Sequence, residues 1–250
     1  MSAVSGNKTI PDIYSWHQIG TWEREPDTTI PDFNKMRANY GLPEKPNDVN
    51  EYGWNSEQNP ANSVYYISQL ERHNIRGLRS NWGAGGGLHD FMANLAARSN
   101  GQYIPNGDWL LYKYYANMIG DRLATTASTN PQFDVFAVKE KYMLKVIAGT
   151  RSLQRDSTIS ITGLESLGFP SSGSISIRSY RFDWKGAQGQ VGDPVNMGSS
   201  MHTYASGNVS SSTLNPHTSL VTLLTVQAQR AVQPTDQRHC ICIRDFAALV

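Results

Sequence analysis

The string Asp48-Val49-Asn50-Glu51-Tyr52-Gly53-Trp54 holds the residue types best suited to chemistry in this chain. It reads as a buried strand carrying a carboxylate at its end and running into a turn. In a parallel α/β barrel the C-terminal end of a strand is the rim on which active sites form. A carboxylate there can serve as nucleophile, base or acid. Three tryptophans recur at comparable places: Trp16, next to His17, closes one strand, Trp54 follows the second and Trp82 the third. Aromatic faces in a polar cleft suit sugar rings, whose C–H surfaces stack on them. Groups such as His17, Asn50 and Asn81 can meet the hydroxyls. The competing reading makes each Trp an ordinary core residue. Repetition at three strand ends beside a Glu favours a site.

The elements that must position these residues follow from periodicity and punctuation. Asp12–Gln18 reads as a short strand, Glu23 to Asp32 as a charged, proline-containing loop, and Phe33–Tyr40 as a short helix. Asn47–Gly53 is the second strand. Asn59 suits a helix cap and Pro60 the first helical position, with Ala61, Val64, Ile67 and Leu70 on one face. Ile75–Asn81 is a third strand. A further helix carries Leu88, Phe91, Met92 and Leu95, and another, capped by Asp108, carries Leu111, Tyr115 and Met118. Strands alternating with helices imply βα units and a parallel sheet.

Past Asn130-Pro131 the character changes. Between Thr150 and Val226 stand 24 Ser/Thr and only nine charged residues, with two-residue alternation at Ile159/Ile161, Ile175/Ile177 and Tyr180/Phe182/Trp184. Gly163, Gly168, Pro170 and Gly173 punctuate the runs, the pattern of a β-sandwich. Three segments are therefore expected: α/β over 1–125, a sandwich over 131–226, and a tail over 227–250 whose lost alternation reads as disorder.

Composition narrows the partners. The 250 residues carry 22 Lys+Arg against 21 Asp+Glu, a net charge of +1, without the basic stripe that nucleic-acid binding requires. No apolar run is long enough to cross a membrane, and the start from Met1 to Ile10 is not a signal peptide. The Gly83–Gly87 run lacks a phosphate-loop ending, and no Ser sits in G-x-S-x-G. His89, His202, His217 and His239 are dispersed, so no metal or other cofactor is called for. Cys240-Ile241-Cys242 is too close-set for a C-x-x-C redox pair.

The order YSWHQ, NEYGW, helix, strand, NWG resembles the last three βα units of clan A glycoside hydrolases, most of all a fungal protein similar to glycoside hydrolase family 39. The stretch from Gly101 to Trp109 leading into Tyr112-Lys113-Tyr114-Tyr115 looks like the final barrel helix, and the β region looks like the sandwich that accompanies such barrels. The resemblance spans roughly residues 10–226. It implies an incomplete (β/α)8 barrel followed by an antiparallel β-sandwich. It makes Glu51 the nucleophile of a retaining hydrolase, and Trp16, His17, Asn50, Trp54 and Trp82 the lining of a sugar subsite. It also implies a polysaccharide or glycoside substrate and a secreted parent. A retaining enzyme needs a second carboxyl group about 5–5.5 Å from the first. In these families that group is a Glu following an Asn at the end of the fourth strand, and the Asn-Glu pair of this chain is already used by Glu51. Glu23 and Glu25 are weak substitutes, and Glu57 reads as a loop or helix-start charge. The chain is therefore expected to hold half of a catalytic pair and to lack stand-alone activity. The alternative is a carbohydrate-binding or structural β-sandwich protein without catalysis.

Overall fold

The computed structural model describes residues 10–18, 25–79, 94–129, 132–141, 143–151, 157–214, 222–228 and 240–244. Strands predominate and α-helices are few. Strands β1 (Tyr14–Gln18), β2 (Asn47–Tyr52) and β3 (Arg76–Arg79) form a parallel sheet in that order. Helix α1 (Pro26–Asn39) follows β1, and α2 (Pro60–Arg72) follows β2. The βα alternation read from the sequence is thus present.

Helix α1 begins seven residues before the expected Phe33, inside what reads as a loop. Pro26 opens it, where a fixed φ and a missing N–H cost nothing. The Glu25 carbonyl accepts the N–H groups of Thr28 and Thr29, each at 2.9 Å. Helix α2 starts as expected: the Asn59 side chain accepts the Asn62 N–H at 3.2 Å. It stops at Asn74, whose φ of 52° turns the chain so that the Ile75 N–H reaches the Leu70 carbonyl.

An amphipathic α2 was expected, yet every residue from Pro60 to Leu70 is buried. Two sheets enclose it. On one side Tyr65, Tyr66 and Leu70 pack with Val49 and Tyr52 of β2. On the other, Val64 and Ile67 pack with Phe136, Val138 and Ile147. Inside this layer Ser68 Oγ donates to the Val64 carbonyl at 2.8 Å. Gly149 permits the close approach, since a Cβ there would stand 2.3 Å from the Ala61 carbonyl oxygen.

Helix α3 (Gly107–Ala116) is capped by Asn106 rather than by Asp108. The Asn106 side chain accepts the N–H groups of Asp108 and Trp109, each at 3.1 Å. Asp108 is thereby placed within the first helical turn, fully buried. A hairpin of β4 (Ala96–Ser99) and β5 (Gln102–Pro105) precedes α3. Its turn is Asn100-Gly101, both at positive φ. The helix expected over Leu88–Leu95 falls largely outside the described residues.

The remaining strands are β6 (Asp121–Arg122), β7 (Ala124–Thr126), β8 (Phe133–Glu140), β9 (Met143–Thr150), β10 (Ser157–Ile161), β11 (Gly173–Arg181), β12 (Val195–Tyr204), β13 (Val209–Leu214), β14 (Thr222–Ala228) and β15 (Cys240–Arg244). They form a six-stranded sheet, β12-β11-β14-β9-β8-β6, and a four-stranded sheet, β13-β10-β15-β7. The six-stranded sheet is covered on both faces. Phe133, Val135 and Ala137 of β8 pack with Ile159 and Ile161 of the smaller sheet, while Phe136 and Val138 face α2. This double cover explains why both faces of β8 are buried from Phe133 to Val138.

Two boundaries differ from expectation. The all-β part begins at Asp121, ahead of the 125–131 division, because β6 and β7 already pair with β8 and β15. In the tail, Cys240–Arg244 is not disordered: β15 pairs with both β10 and β7. Its backbone supplies ladder bonds that the alternation of side chains does not announce.

Candidate active site

Strand alternation puts consecutive residues on opposite faces. On β1, Trp16 turns to the helix side, where its ring lies 5.2 Å from that of Phe33 on α1. Gln18 shares that face and accepts a hydrogen bond from Thr29 Oγ1 at 3.2 Å. His17 therefore points to the opposite, inner face. Trp16 and His17 cannot line one pocket, so the pairing of the two in a single sugar subsite is corrected: Trp16 belongs to the packing of α1 on β1.

Glu51 reaches the inner face through a bulge. Trp16 is in register with Val49, but His17 is in register with Glu51, so Asn50 is an extra residue on β2. The bulge brings Glu51 beside His17. The His17 Nδ1–Glu51 Oε2 distance is 3.0 Å, with the Glu side chain 6% and the His side chain 61% exposed. A buried carboxylate thus stands at the C-terminal end of the middle parallel strand with an imidazole from the neighbouring strand in contact. Asn50 Oδ1 is buried without a partner in the structure. Beyond Glu51, Gly53 takes φ 81° and turns the chain out of the sheet. Trp54 follows with 57% of its surface exposed, and its N–H donates to Glu57 Oε2 at 2.9 Å. Of the expected residues, Glu51 and His17 are brought together, Asn50 and Trp54 flank them along the chain, Trp16 lies behind the sheet, and Trp82 lies outside the described residues.

The substitute acids are otherwise engaged. Glu25 Oε1 and Glu57 Oε1 are both bound by Arg151, at 2.8 and 2.5 Å. Glu23 lies outside the described residues. Two cations missed in the sequence organise the surroundings. Arg151 stands just after β9, and Arg79, the last residue of β3, pairs with the buried Asp108 at 2.5 Å and lies 5.4 Å over the Tyr112 ring. Nothing in their local sequence distinguishes them from surface arginines. Tyr112 is in turn 2.7 Å from the Tyr52 hydroxyl. Burial pushes the Tyr52 phenol well above its ordinary range, so it stays protonated and acts only as a hydrogen-bonding group. Among the described residues no cluster of His, Cys, Asp and Glu could hold a metal ion, and no helix is long and apolar enough to cross a membrane.

No family model matches the chain. Over 125 residues, 49% of the chain, it is 24% identical to a 3-O-alpha-D-galactosyl-alpha-L-arabinofuranosidase from Bifidobacterium longum subsp. longum. The chain is similar to glycoside hydrolases. Its fold is shared with N2152 from Neocallimastix frontalis, at a TM-score of 0.70 and 20% identity over 87% of this chain. At a TM-score of 0.46 and 13% identity it also overlaps the glycoside hydrolase family 30 subfamily 8 xylanase Xyn30A from Clostridium acetobutylicum. The chain spans 10% of the length of the arabinofuranosidase and 54% of N2152.

Proposed function

We propose that the chain is part of a retaining O-glycoside hydrolase in which Glu51 is the nucleophile. The observation that carries this reading is the buried Glu51, bulged into contact with His17 at the C-terminal end of a parallel strand. In a retaining reaction such a carboxylate attacks the anomeric carbon and expels the aglycone, and water then releases the glycosyl-enzyme. His17 orients the carboxylate and offers a hydrogen bond to a hydroxyl, and the exposed Trp54 ring offers a stacking face for a sugar. The substrate class is a glycoside or polysaccharide, in keeping with the near-neutral charge and the arabinofuranosidase relative. A secreted parent and the likeness to family 39 within clan A belong to the same reading.

β1, β2 and β3 are read as the last three units of an eight-stranded barrel, and the two antiparallel sheets as its companion sandwich. The open sheet supports this. Among the described residues neither β1 nor β3 pairs on its outer edge. Leu78 on the inner side of β3 is 52% exposed, where a closed barrel would cover it. The second carboxyl group then comes from a unit beyond these three.

Turnover of a panel of aryl glycosides by the purified 250-residue chain tests the reading. The expected result is negligible hydrolysis, with hydrolysis gained when the upstream coding sequence is added and lost again in Glu51→Ala. Robust hydrolysis by the chain alone, abolished in Glu51→Ala, would keep the nucleophile and overturn the missing-partner reading. Hydrolysis insensitive to Glu51 would overturn the nucleophile.

A further inference from the structure

We propose that Arg151 is a positioning residue for this site, tying the turn after β2 that carries Trp54, and Glu25 at the start of α1, to the antiparallel half. The proposal rests on the reading of Glu51 and Trp54 as a glycosidase site. Arg151 is held first by its backbone, whose N–H donates to the Gln132 carbonyl at 2.8 Å. Its side chain is 3% exposed and divides its donors. Nε reaches Glu57 Oε1 at 2.5 Å, and Nη1 reaches Glu25 Oε1 at 2.8 Å. The guanidinium also lies 5.6 Å over the Tyr66 ring on α2.

Each carboxylate belongs to a different element. Glu57 sits in the short 3-10 turn Asn55–Glu57 after β2, and its Oε2 accepts the Trp54 N–H at 2.9 Å and the Tyr66 hydroxyl at 3.3 Å. Glu25 is the residue before α1. One cation therefore neutralises two carboxylates, Glu25 buried and Glu57 largely so, that would otherwise repel, and in doing so ties the start of α1 and the turn after β2 to the end of β9. The division of Nε and Nη1 between two acceptors needs a planar fork, which an ammonium does not have. Trp54 is the consequence that matters: its ring is exposed, but its backbone is fixed by the chain Arg151–Glu57–Trp54. An exposed aromatic on a fixed backbone meets a sugar ring without paying to order the loop.

The test is residue-resolved hydrogen exchange by NMR on the 250-residue chain, with Arg151→Lys and Arg151→Met. A single ammonium cannot satisfy both carboxylates in place. In Arg151→Lys the amide of Trp54, or those of Thr28 and Thr29, should exchange about tenfold faster or more, the loss of one charge-assisted hydrogen bond. In Arg151→Met both sets should speed up, while Val135 and Val146 in the core strands keep wild-type rates. With 5-fluorotryptophan, the Trp54 resonance (assigned with Trp54→Phe) should shift or broaden in Arg151→Lys and the Trp16 and Trp109 resonances should not. Wild-type protection of both segments in Arg151→Lys, with an unmoved Trp54 resonance, overturns the clamp. Because exchange is read without substrate, a failed turnover assay leaves this result standing, and a failed clamp leaves the nucleophile assignment standing.

Discussion

The helix α2 has two neighbours that are finished to different degrees. Toward the antiparallel sheet the charged groups of α2 are paired. Arg72 is bound by Asp27 and by the fully buried Asp134, its Nε donates to the Thr125 carbonyl at 3.1 Å, and His73 reaches Asp27 at 2.8 Å. Toward the parallel sheet the accounts stay open. Trp16 Nε1, Gln18 Nε2, Asn47 Oδ1 and Asn50 Oδ1 are buried without partners, four of the nine such atoms among the described residues, on two short strands. Buried polar groups are ordinarily satisfied, and these four are exceptions among the described residues. The difference teaches that ion pairs and hydrogen bonds fix α2 to the antiparallel sheet, whereas its contact with the parallel sheet is carried by apolar packing of Tyr65, Tyr66 and Leu70 on Val49 and Tyr52.

The sharpest way to break this contrast is to remove a pairing on the finished side. Arg72→Met leaves the fully buried Asp134 without its cation and should cost about 3–5 kcal/mol in urea denaturation. A loss under about 1 kcal/mol would mean that the network is solvated and contributes little. The next effect compares one leucine from each side. Leu144 is fully buried between the two antiparallel sheets, and Leu144→Ala should cost about 2–5 kcal/mol. Leu78 is half exposed on the open face, and Leu78→Ala should stay within about 0.5 kcal/mol. Equal costs would show that the inner face of the parallel sheet is already covered.

Legibility in the sequence followed how local the cause was. The α2 start could be read because Asn59 and Pro60 act on their own neighbours. Strands β10 and β11 could be read because their isoleucines alternate, Ile159/Ile161 and Ile175/Ile177. The Asn100-Gly101 hairpin is equally local, since that dipeptide favours two successive positive φ values. The carboxylate at the β2 end was legible as a residue in a context. Its approach to His17 was not, because it depends on a bulge that only the pairing with β1 creates. Trp16 was misplaced for the reverse reason: the two-residue period alone separates it from His17. Arg151 and Arg79 were invisible, since their acidic partners are distant in the chain, 94 and 126 residues away for Arg151 and 29 for Arg79.

A smaller and opposite-signed effect tests the finished side by pH. Burial pushes the Asp134 carboxyl up to about 6 from its ordinary 3.8, against the pull of Arg72. The folded chain then holds a proton that the unfolded chain has released, so from Asp134 alone stability falls as pH rises from about 4 to 6. The span of the shift sets a ceiling of about 3 kcal/mol on this loss. Asp27 runs the other way. Burial would raise its pKa, but the His73 hydrogen bond and the charge of Arg72 hold it below 3.8, so its contribution is present above that value and is lost as pH falls further. Urea midpoints measured from pH 4 to 7 for the wild type and Asp134→Asn separate the two, because Asp27 is present in both. The wild type should lose stability relative to Asp134→Asn between pH 4 and 6, and the difference should be flat above pH 7. Parallel profiles would place Asp134 in a wetter interface than the packing of α2 on β8 implies, and would narrow the contrast between the two sides of the helix.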